Sequence, residues 1–145
     1  MKDNILLRII AKLLIPLIIL FALYVQFHGD YSPGGGFQAG VIFSAAFIFY
    51  SLIFGIDTAK SVVPESALRV IASFGILLYA GTGVYALLMG GEFLNYSALV
   101  SDALTGQHLG IILVELGVGM TVSAIMLLIF FTFADRGRLE ESDHD

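Results

Sequence analysis

The sequence contains no cysteine, so it can form no disulfide framework, no thiol nucleophile and no cysteine-ligated metal site. Charged residues are also scarce: they make up 13% of the 145 residues, whereas hydrophobic residues make up 58%. A soluble domain of this size needs more polar surface to cover its core, so the composition indicates an integral membrane protein. The seven basic residues are scattered along the chain, which argues against a nucleic-acid partner.

Four long apolar runs predict an all-α membrane protein with four transmembrane helices, because a helix needs about 20 apolar residues to cross a bilayer. The runs cover residues 5–27, 37–56, 67–89 and 107–133. The apolar part of the first run is too long for a signal peptide, and no small-residue cleavage site follows it. We expect one four-helix domain over residues 1–134.

Two segments outside these runs have distinct compositions. Residues 92–105, between the third and fourth runs, carry apolar residues at helical spacing but are only moderately apolar. They predict a short helix that lies in the plane of the membrane interface. Residues 135–145 are acidic and almost devoid of apolar side chains, which predicts a disordered tail.

Lysine and arginine occur on one side of the predicted bundle only. With four crossings, the N-terminus, the loop between the second and third helices and the tail share one side of the membrane. Together with the adjoining helix ends, they contain every basic residue: Lys2, Arg8, Lys12, Lys60, Arg69, Arg136 and Arg138. The positive-inside rule therefore predicts that both termini are cytoplasmic. The connections after the first and third helices then face outward.

The first outward connection departs most from the composition of a membrane protein, because residues 28–40 read HGDYSPGGGFQAG. Pro33 fixes its own φ and Gly34 accepts a positive φ, which predicts a turn. With Gly35 and Gly36, the stretch leaves backbone carbonyls free to coordinate an ion or to line its route. Irregular backbone at a membrane is tolerated where it is buried in protein or faces water. The alternative is a tight hairpin that lets two helices or a partner subunit pack closely.

Four titratable side chains are candidates for an ion pathway. His28 and Asp30 flank the glycine stretch and could exchange protons near neutral pH, or could form a solvated pair at the interface. Glu115 lies about 10–13 Å below the outer end of the fourth run, at 1.5 Å per residue. His108 precedes it by seven residues, on nearly the same helical face.

Glu115 is the most informative of these residues. An acid within a membrane helix costs several kcal/mol unless it is protonated, paired or hydrated, so it marks a candidate functional site. It is also a possible ligand for a cation. The alternative is a structural hydrogen bond to a neighbouring helix. The three histidines lie far apart in sequence, and we expect no haem, no firm metal site and no other cofactor.

The glycine stretch resembles the signature of the B subunit of multisubunit Mrp-type cation/proton antiporters, the MnhB/MrpB family. The residues that carry the signature are His28, Gly29, Pro33, Gly34, Gly35, Gly36, Phe37, Gln38 and Gly40. The chain length, the four crossings and the Gly-Val-Gly that follows Glu115 and Leu116 extend the resemblance to essentially the whole chain.

The resemblance implies a non-catalytic subunit of a bacterial inner-membrane assembly that exchanges cytoplasmic Na⁺ for external H⁺. Its implied partners are the large A- and D-type proton-pumping subunits, small membrane subunits and lipid. It further implies that the B subunit helps to form the sodium route, in which the glycine stretch and Glu115 would take part. Two alternatives are an equivalent subunit of a membrane-bound hydrogenase-type, redox-driven complex, and a purely structural docking subunit.

Overall fold

The structure, a computed structural model, describes residues 5–29, 34–99 and 102–142. The described residues form five α-helices: α1 Ile5–Phe27, α2 Gly36–Phe54, α3 Ile56–Val62, α4 Glu65–Leu88 and α5 Ala103–Ser142. Four of them, all except the seven-residue α3, are long and apolar enough to cross a membrane. The predicted all-α architecture with four membrane helices is therefore confirmed.

α5 is the central helix of the molecule, because it packs along both α2 and α4. α1 packs on α2 and only touches α5. A cluster of buried apolar side chains joins α3, α4 and α5 in the half of the molecule where α5 ends. Its buried members are Ala59, Leu68, Ala72, Ala124, Leu127 and Phe131.

Two glycines let α5 approach a helix on each side. Gly117 and Gly119 are two residues apart, so their Cα atoms point about 200° apart around the helix. A Cβ on Gly117 would lie 2.7 Å from the carbonyl oxygen of Gly75 in α4. A Cβ on Gly119 would lie 3.3 Å from the carbonyl oxygen of Gly36 in α2. Small residues allow such backbone contact in membrane bundles, and here they serve both neighbours of α5.

Ionic and cation–π contacts gather at one end of the bundle, which we name the basic end. Lys60 of α3 donates to Glu65 Oε1 at 2.9 Å and also to Asp135 Oδ2, and its Nζ lies 5.5 Å from the centre of the Phe131 ring. The hydrogen bonds from Asp135 and then Glu65 raise the pKa of Lys60 above its ordinary value. These contacts bring α3, the start of α4 and the last turns of α5 together.

The short helix α3 lies in a connection for which the sequence predicted no helix. Gly55 ends α2 with a φ of 100°, a backbone conformation that favours glycine. Seven residues then form a helix that ends before Pro64, because the residue before a proline is disfavoured in the helical region. Glycine and proline thus separate α3 from the two long helices around it.

α5 extends beyond the predicted run 107–133 at both ends. At its start, the hydroxyl and main-chain N–H of Thr105 donate to Asp102 Oδ2 at 2.5 and 3.1 Å, and these bonds hold the pKa of Asp102 below its ordinary value. At its end, α5 continues to Ser142, whereas the sequence predicts disorder from residue 135. Arginine, leucine and glutamate favour helix there, and Asp135 is held by Lys60.

The connection between α4 and α5 folds back onto the two helices. A Cβ on Gly110 would meet the ring of Tyr96, and a Cβ on Gly83 would meet the ring of Phe93. Burial, and then the neighbouring Tyr79, raises the pKa of Tyr96. Within the described part of this connection, the regular element is a 3-10 helix, Tyr96–Ala98. Its position in the plane of the membrane interface stays a prediction.

Candidate functional site

The carboxylate of Glu115 lies against the backbone on both sides of the α1–α2 connection. A Cβ on Gly29 would lie 2.5 Å from Glu115 Oε1, and a Cβ on Gly35 would lie 2.9 Å from the same atom. A Cβ on Gly36 would overlap the main-chain carbonyl of Glu115. We call Gly29, Gly35 and Gly36 the glycine cradle. Only glycine leaves room there for the Glu115 side chain and main chain.

Gly35 is a glycine for a second reason, because its φ is 156°. Side chains are disfavoured in this region of backbone conformation. The carbonyl of Gly35 accepts the main-chain N–H of Ala39 at 3.0 Å, which forms the first turn of α2. One residue thus turns the chain, starts a helix and faces the carboxylate of Glu115.

Glu115 lies level with the first residue of α2, whose 19 residues span about 28 Å. It is also twenty residues before Asp135 on the same helix, a distance of about 30 Å, close to the thickness of a bilayer's hydrocarbon core. α5 itself begins at Ala103, about 18 Å beyond Glu115. The site therefore lies at the end of the α1–α2 pair but well inside the α4–α5 pair. The position of Glu115 within the fourth apolar run does not by itself show this difference in depth between the two helix pairs.

Two amide side chains lie against glycines near Glu115. A Cβ on Gly119 would overlap Gln26 Oε1, so Gly119 makes room for the amide of Gln26. Gln38 Oε1 lies 3.8 Å from the point where a Cβ on Gly35 would sit. Gln38 belongs to the sequence motif, but Gln26 was missed. A glutamine in the last turn of a predicted membrane helix, next to the motif, was the available signal.

The other site residues predicted from the sequence lie at different positions relative to the glycine cradle. The ring of His28 stacks on that of Tyr24 with centroids 4.5 Å apart, directly before the glycine cradle. His108 is exposed and lies two turns of α5, about 10 Å, from Glu115. Asp30 and Pro33 lie outside the described residues.

The remaining motif residues flank the cradle. Phe37 is exposed in the first turn of α2. A Cβ on Gly34 would touch Val25 Cγ1 at 3.3 Å, and one on Gly40 would lie 2.8 Å from the carbonyl oxygen of Gly119. Gly40 therefore serves the packing of α2 against α5 rather than the carboxylate.

A groove of about 420 Å³ runs along the membrane-spanning part of the molecule next to this site. Its walls come from α1 and α2 on one side and from α4 and α5 on the other, and they are almost entirely apolar. Gln26 and Ser123 are the polar side chains that line it, and the hydroxyl of Ser123 donates to the carbonyl of Met120 at 3.1 Å. Such a surface offers no series of ligands for an ion.

The sequence as a whole is similar to known proteins. A family model described as a domain related to the MnhB subunit of Na⁺/H⁺ antiporter matches residues 6–128. Proteins named "Putative antiporter subunit mnhB2" from Staphylococcus aureus strains Newman, JH1 and COL are each 32% identical over 138 residues, which cover 92% of this chain and 97% of the relative. The glycine cradle and Glu115 both lie within the residues that the family model matches.

Proposed function

This chain belongs to the MnhB family of Na⁺/H⁺ antiporter subunits, and we propose that Glu115 and the glycine cradle form one position on the cation pathway of the assembled complex. Membership of the family makes the chain a membrane component of a multisubunit transporter. In this proposal, α5 and the connection between α1 and α2 supply the cation-binding position.

The observation that carries the proposal is the contact of a carboxylate with a cradle of glycine backbone. A carboxylate in a membrane-spanning helix costs free energy, and it is retained where it serves a purpose. Carboxylate and carbonyl oxygens are the ligands that hard cations prefer. A cation ligand must also be deprotonated, so H⁺ and Na⁺ compete for Glu115. Competition of H⁺ and Na⁺ for a single carboxylate is one way to couple the movement of the two ions.

We propose further that both termini are cytoplasmic in a bacterial inner membrane, so that the glycine cradle lies towards the outer side. The basic residues support this orientation, because the positive-inside rule places them in the cytoplasm. In the structure, Lys60 and Arg8 lie at the same end of the bundle, since Arg8 lies 5.4 Å from the ring of Phe54, the last residue of α2. A cation bound at Glu115 would then be close to its point of release.

The Glu115→Gln variant tests the pathway role, because it keeps the shape of the side chain and removes its charge. We expect an assembled complex whose apparent Na⁺ affinity in everted vesicles falls about tenfold or more, as for loss of a metal-site contact. Glu92→Gln is the matched control, since Glu92 is an exposed acid in the α4–α5 connection. Wild-type exchange with unchanged apparent Na⁺ affinity in Glu115→Gln would exclude the pathway role.

A docking role is the second candidate, and the exposure of α1 favours it. Only Ala11 and Ala22 are buried among the 23 residues of that helix. The Gly35→Leu variant separates the two roles, because the added side chain would displace the Glu115 carboxylate. The pathway role predicts a complex that assembles but exchanges ions poorly. The docking role predicts that the complex is absent from native gels.

A further inference from the structure

We infer that Arg8 and Lys12 bind the phosphate of an anionic phospholipid at the basic end of the bundle, and that one acyl chain of this lipid lies in the apolar groove. Neither the ion pathway nor the role of Glu115 enters this inference. Two cations without an ion-pair partner in the described part of the chain support it, together with a row of aromatic rings that leads from them to the groove.

Arg8 and Lys12 form a pair of cations on one face of α1. They are four residues apart, which places their Cβ atoms about 5–6 Å from each other on the helix surface. Two hydrogen bonds of about 2.9 Å to different oxygens of one phosphate span this separation. Helical side chains lean towards the N-terminus of their helix, so both cations reach towards the headgroups at the basic end.

No carboxylate in the described part of the chain neutralises either cation. Arg8 and Lys12 are exposed, and neither forms an ion pair with another described residue. Glu65 and Asp135, two acids of the same end, both contact Lys60. Cations near the hydrocarbon core are retained where a negative charge offsets their cost. At the lipid-facing surface of α1, the phosphates of anionic lipids supply that charge.

A row of aromatic rings leads from Arg8 into the groove. Arg8 Cζ lies 5.4 Å from the ring centre of Phe54, and this contact leaves the N–H groups of the guanidinium available to phosphate oxygens. The row follows one face of α2 and consists of Phe43, Phe47, Tyr50 and Phe54. Ring centres are 5.4 Å apart in the first pair and 4.8 Å apart in the second. The first two rings line the groove, whereas the last lies at Arg8.

The other walls of the groove agree with this direction. Gln26, which lines the groove, follows Arg8 by 18 residues, or five helical turns, so the two residues lie on one side of α1. Val63 and Leu68 also line the groove, and they lie on either side of Glu65 at the basic end. The groove and the two cations are therefore on the same side of the molecule, and the groove extends towards the cations.

The length of the aromatic row matches one leaflet of a bilayer. From Phe54 back to Phe43 it covers 11 residues, about 16 Å along α2. An acyl chain spans half of a hydrocarbon core about 30 Å thick. A lipid whose phosphate lies at Arg8 therefore places the end of its chain at Phe43 and Phe47. The groove there has a volume of about 420 Å³ and is almost entirely apolar, as an acyl chain requires.

Photolabelling of the reconstituted complex tests the inference. The vesicles consist of phosphatidylcholine with a small fraction of phosphatidylglycerol that carries a diazirine at the end of one acyl chain. We expect label on residues that line the groove, and roughly tenfold or more less of it when Arg8→Gln and Lys12→Gln are combined. Arg69→Gln is the matched control and should not change the labelling. Arg69 is an exposed cation of the same end, but it lies on α4, 3.5 Å from Glu65.

Two further variants keep the test independent of whether the double variant assembles. Lys12→Gln alone preserves the contact between Arg8 and Phe54, and it should lower the labelling about fivefold. Arg8→Lys combined with Lys12→Arg retains both charges and should be labelled like wild type. Labelling that is unchanged by Lys12→Gln and by the double variant would overturn the inference.

The remaining outcomes distinguish other occupants of this surface. Equal labelling by phosphatidylcholine that carries the same diazirine would mean that the groove takes bulk lipid, and the role of the cations would be wrong. If wild type takes no label in the groove and the double variant loses assembly, the cations contact an acid of a partner subunit. The inference is then wrong as well.

A second measurement reports on binding without a bilayer. We expect phosphatidylglycerol to raise the unfolding temperature of the purified complex in detergent, and the double variant to need roughly tenfold more of it for the same rise. In detergent free of phospholipid, the double variant and wild type should unfold at the same temperature. The same rise at the same phosphatidylglycerol concentration in both proteins would contradict the inference.

Discussion

The closest backbone approach at the candidate site is between Gly36 and the main chain of Glu115. A Cβ on Gly36 would overlap the Glu115 carbonyl oxygen and lie 2.8 Å from its carbonyl carbon. Main chain within a helix cannot move aside as the end of a flexible side chain can. The pair therefore fixes how closely α2 and α5 approach, and with it the position of the Glu115 carboxylate.

We expect Gly36→Ala to force the start of α2 away from α5, with a loss of roughly 1–3 kcal/mol of stability. Thermal unfolding of the purified complex measures the loss, and vesicle assays should show weaker antiport. Gly81→Ala is the matched control, because no atom lies within 4 Å of a Cβ at that position. It should keep or raise stability, since alanine favours helix by about 1 kcal/mol. Equal stability of the two variants would contradict the close contact.

At this scale the sequence predicted part of the site. It indicated Glu115 and the glycine stretch as candidates for one ion route, and the structure places Gly29, Gly35 and Gly36 against Glu115. Their role in transport stays a prediction. Gln26 was missed because a sequence predicts which residues share a face of a helix. It does not predict which element packs against that face. The approach of α1 to Gly119 depends on tertiary packing.

Among the helices, α3 is the smallest and the one that joins most parts of the basic end. Its Lys60 contacts α4 through Glu65 and α5 through Asp135. Loss of the Lys60 ammonium group removes both ion pairs together. Because all three side chains are partly exposed, each pair stabilises the protein only modestly.

We expect Lys60→Met to lower the free energy of unfolding by about 1 kcal/mol. The carboxylates of Asp135 and Glu65 raise the pKa of Lys60 above its usual 10.5, so its contribution is complete below that pH. It is lost as the pH rises through the raised pKa. The difference between wild type and Lys60→Met should stay constant from neutral pH to about pH 9 and shrink above about pH 10.5.

Thermal unfolding in detergent across this pH range provides the measurement. Lys12→Met is the control, because Lys12 forms no ion pair with any other residue that the structure describes. A difference between wild type and Lys60→Met that persists well above the pKa of the lysine would show that packing, and not charge, causes the loss.

The helices themselves were easier to predict than their ends. α1 ends at Phe27, where its apolar run ends. α5 extends beyond its run at both ends, because its start is capped by Asp102 and its last turns follow the contact between Lys60 and Asp135. Apolar length determines whether a span exists, whereas local hydrogen bonds and ion pairs determine where its helix begins and ends.

For the molecule as a whole, the asymmetry of basic residues predicts the orientation in the membrane. The sequence lacks cysteine, so a single introduced thiol is an unambiguous label. Ser61 is exposed in α3 at the basic end, and Glu92 is exposed in the α4–α5 connection at the opposite end. These two positions therefore report on the two sides of the bilayer.

We expect a membrane-impermeant maleimide to label Glu92→Cys in intact spheroplasts and to label Ser61→Cys only after the membrane is made permeable. The reason is that basic residues are retained in the cytoplasm during insertion. Everted vesicles are the control, because there the two variants should exchange their labelling. Labelling of Ser61→Cys from outside would reverse the orientation and place the glycine cradle on the cytoplasmic side.

The central position of α5 also has a consequence for how the protein is made. Synthesis delivers α1 and α2 first, and these two helices can pack on each other in the bilayer at once. α4 follows, but its main contacts are with α5, which is synthesised after it. Until then the helix that α4 contacts within the described part of the chain is the short α3, at its first turns, and Glu115 has not yet entered the cradle. A chain that stops before Ala103 would therefore leave the α1–α2 hairpin packed and most of α4 without its main neighbour.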